Sequence, residues 1–142
     1  GIAVGAALAA QWSGSIRLPI AIIGDGEFLM GHSALWSAAH YKIPLMIIVA
    51  NNRSFKNDAE RLHEITLERH RTIENISIGT AIKHPEINLA GIARDHGLGG
   101  IGPITDISEL PTALEKGFKA LSDGRAIVLD IHINENTDPK LN

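Results

Sequence analysis

The chain of 142 residues contains no cysteine, which excludes disulfide bonds and thiolate chemistry. A chain without disulfides is typical of the cytoplasm, and we expect a cytoplasmic location. Aromatic residues make up only 4% of the sequence, and no run of Lys and Arg is interleaved with them. Because the net charge is −3 as well, we expect no nucleic-acid partner.

Long apolar runs are also missing. The first ten residues are apolar, but a membrane-spanning helix needs about 20 such residues. This stretch also lacks the basic leader of a secretory signal. We therefore expect no membrane partner.

What the sequence does contain is an alternation of β-forming and helical segments in a length that suits one domain. This alternation predicts an α/β fold with a mostly parallel sheet and helices on both faces. The predicted strands are 18–23, 45–50, 100–104 and 126–133. The predicted helices are 2–12, 31–41, 86–96 and 108–121, the last opened by a Ser108 cap.

Two segments depart from this pattern. Residues 2–12 are small or apolar on every face, which predicts a helix that is wholly buried or packed against a partner chain. Residues 57–75 are rich in charge and histidine, and we expect an exposed helix or a lid spanning residues 53–80. The polar residues 134–142 are expected to fray or to fold over a neighbouring surface.

The most specific motif is Gly24-Asp25-Gly26, followed by Asn51-Asn52 after one strand–helix–strand unit. Such a unit makes its two strands parallel, so Asp25 and Asn52 emerge at the same carboxyl edge of the sheet. A carboxylate and an amide oxygen beside a glycine turn and a helix N-terminus suit a hard cation such as Mg²⁺, held with the phosphates of a cofactor.

Each half of this motif alone is an ordinary turn signal, and only their combination at this spacing is specific. The sequence contains no Gly-x-Gly-x-x-Gly or Walker motif, which disfavours dinucleotides and ATP. A catalytically silent α/β module that binds a nucleotide or mediates assembly remains an alternative.

The segments 24–30 (GDGEFLM) and 49–52 (VANN), with their spacing, resemble the thiamine diphosphate fingerprint of the acetolactate synthase and benzoylformate decarboxylase superfamily. The resemblance continues through residues 87–93, 106–110 and 126–133. It implies a Rossmann-like three-layer, diphosphate-binding domain, normally the C-terminal third of a longer subunit, and thus a fragment of a larger enzyme.

The resemblance also implies the site residues. The residues at the cofactor would be Gly24, Asp25, Gly26, Glu27, Asn52 and Ser54. Mg²⁺ would be bound by the side chains of Asp25 and Asn52 and by the main-chain carbonyl of Ser54, while the amides of Gly26 and Glu27 would face the diphosphate. The helix that begins at Gly31 would add the positive end of its dipole.

The implied activity is that of a thiamine diphosphate- and Mg²⁺-dependent enzyme on 2-oxoacids, as an acetolactate synthase-like carboligase. A simple decarboxylase of the benzoylformate type is the alternative, and whether FAD is bound stays open. The activating glutamate would come from another domain, usually of a second subunit in a homodimer or homotetramer. The chain itself would then hold no catalytic acid or base and would be inactive alone.

Two departures from the family pattern stand out. Glu27 occupies a position that is usually Ser or Ala, where its charge would lie near Asp25. It would either point away toward a basic partner or adjust the pocket for an unusual substrate. By the same resemblance, the segment that contacts the pyrimidine in the family would lie just upstream of Gly1.

Several other side chains have weaker signals. His32 lies closest to the predicted diphosphate and would either bind it or remain on the surface. His63 and His70 are spaced to share one helix face, which a solvated surface explains as well as a carboxylate site does. Trp12 and Trp36 are expected in the core or at an interface.

Overall fold

The computed structural model describes residues 1–134, in which four parallel strands form one sheet in the order β1-β2-β4-β3. The strands are β1 (Ile20–Gly24), β2 (Met46–Asn51), β3 (Gly99–Ile104) and β4 (Ile127–His132). The helices are α1 (Ile2–Trp12), α2 (Asp25–Gly31), α3 (Ala34–His40), α4 (Lys56–Glu68), α5 (Leu89–Asp95) and α6 (Leu110–Ser122). The predicted α/β class with a parallel sheet is confirmed.

Apolar side chains alternate across the sheet and create a core on each face. On β2, Ile47 and Val49 join the larger core, to which residues of α1, α2, α3 and α5 contribute. Met46 points to the opposite face, where it packs with Leu129 of β4 and Leu121 of α6. Helices therefore cover both faces, as the alternation of segments predicted.

The predicted helix 31–41 is instead two helices, and the first of them starts within the motif. α2 begins at Asp25, directly after β1, and α3 begins at Ala34. The Gly-Asp-Gly segment is therefore a helix start rather than a turn, and the expectation of a helix beginning at Gly31 is wrong. The first-turn amides next to Asp25 belong to α2.

Two other helix starts also differ from prediction because of their caps. Ser108 does not open the helix 108–121, since the Asp106 carboxylate accepts a hydrogen bond from the Ser108 N–H (2.8 Å) and caps a short 3₁₀ turn, Ile107–Glu109. α6 follows from Leu110. The predicted helix 86–96 begins only at Leu89, because the Asn88 side chain accepts from the Gly91 N–H (2.7 Å).

Helix α1 is not wholly buried. Only Val4 and Ala7 lie in the core, whereas Ile2 is 92% exposed and Trp12 is 80% exposed. The alternative, that this helix packs against a partner chain, stays a prediction. Trp36 is also exposed and stacks on His40, so the core alternative fails for both tryptophans.

The segment after β2 contains a shorter helix than predicted. α4 ends at Glu68 and contains no buried residue. His70 lies beyond the helix with a positive φ of 52°, so it does not share a helix face with His63. Whether residues 53–80 act as a lid stays a prediction.

Among residues 1–134, no helix is both long and apolar enough to cross a membrane. The expectation for the C-terminal tail concerns residues 134–142, of which 135–142 lie outside the described residues, and it stays a prediction.

Candidate functional site

Asp25 is the first residue of α2 and lies at the carboxyl end of β1. Its side chain is almost fully buried, with 2% of its surface exposed. The carboxylate Oδ2 accepts a hydrogen bond from the main-chain N–H of Ser54 at 3.0 Å. Asp25 therefore contacts the loop that follows the neighbouring strand.

Asn52 follows β2, which pairs in parallel with β1. Its Oδ1 atom accepts from the same Ser54 N–H, also at 3.0 Å. One amide thus holds the oxygens of Asp25 and Asn52 close together. All three residues that the sequence predicted as metal ligands meet at this edge of the sheet.

Ser54 is fixed from its other side by residues 80–82. It forms an antiparallel bridge with Ala81, made by the bonds from Phe55 N–H to the Thr80 carbonyl and from Ile82 N–H to the Arg53 carbonyl, each 2.8 Å. The Ser54 hydroxyl also donates to the Thr80 carbonyl at 3.2 Å. The two ends of the excursion 56–79 are therefore joined directly beside the site.

The chain turns sharply between Asn52 and Ser54. Arg53 has a φ of 57°, in the left-handed region that costs about 1–2 kcal/mol for a residue with a Cβ. The Asn51 Oδ1 accepts from the Arg53 N–H at 3.0 Å and so stabilises the turn. Asn51 also donates from Nδ2 to the Asp130 Oδ1 at 2.9 Å.

Sequence reasoning placed Asn51 in the motif but gave it no role, and it missed Asp130. The two residues are buried, and they are 79 positions apart in the chain. The available signal was Asp130 itself, a carboxylate within the otherwise apolar segment 126–131. A charged group in such a strand needs a partner, because burial without one is costly.

The Glu27 side chain does not point away toward a basic partner, and whether it adjusts the pocket for an unusual substrate stays a prediction. Its Oε2 accepts from the Gly24 N–H at 3.1 Å, so the side chain folds back and caps the start of α2. This contact explains how an acidic residue is accommodated next to Asp25. The positive end of the α2 dipole also stabilises a negatively charged carboxylate at this helix N-terminus.

Gly26 is the second residue of α2 and is buried under the aromatic ring of Phe55. A Cβ at this position would collide with the ring. The second glycine of the motif is therefore required by packing against the residue that follows Ser54.

Burial raises the pKa of Asp25 above its ordinary value of 3.8, although main-chain amides, including those of Gly26 and Ser54, oppose this effect. Burial likewise raises the pKa of Asp130, opposed by the Asn51 hydrogen bond and by His132. The negative charge of Asp25 adds to the increase at Asp130. A cation bound at this edge would reverse the effect on Asp25, because an opposite charge favours the ionised form.

A cavity of about 450 Å³ lies beside the site, between α4 and residues 73–83. Asn52 and Ser54 form part of its wall, and His63 lines it from α4. His32 does not line this cavity; it lies edge-on to His96 at 5.3 Å between ring centroids and lines a second cavity together with Glu27 and Phe28. Within residues 1–134, no group of three or more His, Cys, Asp or Glu side chains could hold a metal. A metal here would need amide or carbonyl oxygens as well.

The chain is similar to known proteins over most of its length. Benzoylformate decarboxylase of Pseudomonas aeruginosa is 30% identical over 131 residues, which are 92% of this chain and 22% of that protein. The structure of a thiamine diphosphate-dependent 4-hydroxybenzoylformate decarboxylase from Rhodococcus jostii matches 96% of this chain, with 31% identity and a TM-score of 0.68. Benzoylformate decarboxylase from Polynucleobacter necessarius shares the fold, with a TM-score of 0.72 at 21% identity.

The chain thus spans between a fifth and a quarter of the length of these relatives, 22% to 23%. Residues 1–131 match the family described as the C-terminal TPP binding domain of thiamine pyrophosphate enzymes. This match covers both halves of the motif and all the residues that meet at Ser54. The chain therefore belongs to the family of C-terminal thiamine pyrophosphate-binding domains.

Proposed function

We propose that this chain binds the diphosphate of thiamine diphosphate through Mg²⁺, within an enzyme that decarboxylates a 2-oxoacid. The observation that carries the proposal is the shared hydrogen bond that gathers Asp25, Asn52 and Ser54 at one sheet edge. The family assignment supports the cofactor. The metal and the substrate class are proposals.

The donor set fits Mg²⁺. A carboxylate oxygen and an amide oxygen are hard ligands, and Mg²⁺ in proteins is commonly held by one or two carboxylates together with substrate phosphates. Ser54 pairs with Ala81 through the main chain of its two neighbours, so its own N–H points away from residues 80–82 and toward Asp25. In an extended segment the N–H and C=O of one residue share a side, and we expect the Ser54 carbonyl to face Asp25 too.

Each residue would have a definite task. Asp25 would carry the charge that balances the cation, and Asn52 and Ser54 would fix its position. The amides of Gly26 and Glu27, in the first turn of α2, would face the diphosphate. Bound thiamine diphosphate would supply a carbanion that attacks the 2-oxoacid carbonyl, while the protein orients and shields it.

The remaining domains of a longer enzyme, including a glutamate from a second subunit, would complete the active site. A homodimer or homotetramer would supply that second subunit. Two reactions begin with the release of CO₂. In a simple decarboxylase protonation follows, whereas in a carboligase such as acetolactate synthase a carbon–carbon bond is formed. The names of the relatives favour the first. Carboligation is the second candidate.

The proposed binding can be tested on the chain itself. We expect thiamine diphosphate with Mg²⁺ to raise the free energy of unfolding by about 2.7 kcal/mol at a concentration 100 times Kd. Thiamine diphosphate with EDTA, NAD and ATP should each give a much smaller effect. Protection by NAD or ATP, or equal protection without Mg²⁺, would instead support the alternative of a nucleotide-binding module.

A further inference from the structure

Asp130 lies in β4 with only 1% of its surface exposed, and the proposed reaction gives it no task. Its Oδ1 accepts from the Nδ2 of Asn51 at 2.9 Å, and both residues are buried. Losing either partner would leave a buried polar group unsatisfied. The pair is therefore held together at this end of the sheet.

The bond to Asp130 also decides how the Asn51 amide is oriented. The Nδ2 group faces Asp130, to which it donates, so the Oδ1 atom of the same planar amide faces the other way. That Oδ1 atom accepts from the Arg53 N–H at 3.0 Å. With the amide reversed, an NH₂ group would face the Arg53 N–H and the contact would be lost.

The turn at Arg53 positions the proposed ligand residues Asn52 and Ser54 on either side of it. Arg53 is in the left-handed region, which a residue with a Cβ adopts only when its surroundings impose it. The turn returns the chain so that the Ser54 N–H reaches Asp25 and Asn52. A fixed Asn51 amide thus stabilises the conformation in which these three residues meet.

We propose that Asp130 is a positioning residue that acts through Asn51 to hold Asn52 and Ser54 against Asp25. It would not touch metal, cofactor or substrate. That Asp130 stabilises the Arg53 turn follows from the hydrogen bonds of this structure. That Asp130 affects cofactor affinity rests, in addition, on the proposed function. The competing explanation is that Asp130 only fills space in the core.

Three variants separate these explanations. Asp130→Ala removes the acceptor, Asn51→Ala removes the link, and Asp130→Asn keeps an acceptor oxygen without the charge. Asp106→Asn is the control, because Asp106 is exposed and caps a turn elsewhere. Unfolding curves establish that each variant is folded.

The first readout is amide exchange in the cofactor-free chain, measured by NMR. In Asp130→Ala and Asn51→Ala, we expect exchange at Arg53 and Ser54 to accelerate about 10-fold more than at Val49 in the middle of β2. Asp130→Asn and Asp106→Asn should stay within about threefold of the parent chain. The double variant Asp130→Ala/Asn51→Ala should add little to either single change, because both break one link.

The second readout is the affinity for Mg²⁺ and thiamine diphosphate, measured by calorimetry. We expect this affinity to fall about 10-fold in the two Ala variants and to be restored in Asp130→Asn. Equal acceleration at Val49 and Ser54 would overturn the positioning role and leave only core packing. If Asp130→Ala does not fold, Asn51→Ala carries the same test. If the parent chain binds no cofactor, the proposed function fails, and the exchange data still decide the role of Asp130.

Discussion

The aromatic ring of Phe55 lies directly against Gly26, which leaves no room for a Cβ on that glycine. This contact joins the start of α2 to the loop that contains Ser54, so the two halves of the sequence motif are packed together as well as hydrogen-bonded.

Gly26→Ala should therefore be unfavourable even though alanine favours helices. We expect a loss of about 1–3 kcal/mol in the free energy of unfolding, because the new methyl group must displace the Phe55 ring. Gly31→Ala, at the other end of α2, is the matched control. It meets nothing within 4 Å and should be neutral or stabilising by up to about 1 kcal/mol.

Urea unfolding measures both variants, and the double variant Gly26→Ala/Phe55→Leu should recover part of the loss. Equal stability of Gly26→Ala and Gly31→Ala would show that Phe55 does not constrain this glycine.

Removing the proposed metal ligands should abolish Mg²⁺-dependent binding of thiamine diphosphate. Asp25→Ala and Asn52→Ala each delete one of three proposed oxygen ligands, and we expect calorimetric affinity to fall about 100-fold or more. Asp25→Asn keeps the oxygen without its charge and should also bind weakly, whereas Asp106→Asn should bind normally. Near-normal affinity in Asp25→Ala would rule out the metal assignment.

The stability of the cofactor-free chain should depend on the ionisation of Asp130. Burial raises the pKa of this carboxyl, with Asp25 and Glu86 adding to the increase and Asn51 and His132 opposing it. A raised native pKa means that its stabilising contribution is complete below pH 3.8 and is lost as pH rises through the native value. Asp130→Asn should therefore gain stability relative to the parent chain as pH rises above 3.8.

Asp123 provides a control of opposite sign. Hydrogen bonds from Arg125 and Lys119 lower its pKa, so its contribution is present at neutral pH and is lost as pH falls below 3.8. Urea unfolding should be measured from below pH 3.8 to neutral pH. As pH rises, Asp123→Asn should lose stability relative to the parent chain below pH 3.8, whereas Asp130→Asn should gain it above pH 3.8. If the difference in the free energy of unfolding between Asp130→Asn and the parent chain did not change with pH, the raised pKa of Asp130 would be contradicted.

Residues 56–79 should exchange amides faster than the strands but remain fixed at their base. α4 has no buried residue, so its hydrogen bonds should open without disrupting the core. The amides of Phe55 and Ile82 form the bridge that closes the excursion. Hydrogen exchange should thus be fast over residues 57–77, slow at these two amides, and slower over 57–77 in the cofactor-loaded enzyme.

Fast exchange at Phe55 and Ile82 would mean that the whole segment, including its base, detaches from the site. Protection of residues 57–77 equal to that of β2, unchanged by cofactor, would show that the stretch is ordinary scaffold and would remove the lid hypothesis.

The exposed apolar surface should make the isolated chain self-associate. Ile2 and Trp12 project from α1, and Ile22 is 72% exposed on the edge strand β1. We expect light scattering to show association that weakens in Trp12→Ser and Ile22→Ser. Ile107→Ser, at the exposed 3₁₀ turn, is the control. A strict monomer at high concentration would contradict this prediction.

The local pattern of the sequence was sufficient for much of the fold. Apolar runs located β1, β2 and β4, and the alternation of segments located β3, all within a residue or two. The runs of β2 and β4 are continuous because both faces of these strands are largely buried. Parallel crossover then brought Asp25 and Asn52 to one edge, where the structure shows them sharing the Ser54 N–H. Helix starts were less predictable, because side chains such as Glu27 and Asp106 compete to cap them.

By itself, the sequence determined the fold class and the convergence of the motif, since both depend on periodicity and on the handedness of a single crossover. Only the tertiary structure decided that Asn51 pairs with Asp130, that Phe55 covers Gly26 and that α1 is largely exposed. These relationships depend on strand order and on which helix covers which face. They join residues far apart in the chain, and no local spacing specifies such contacts.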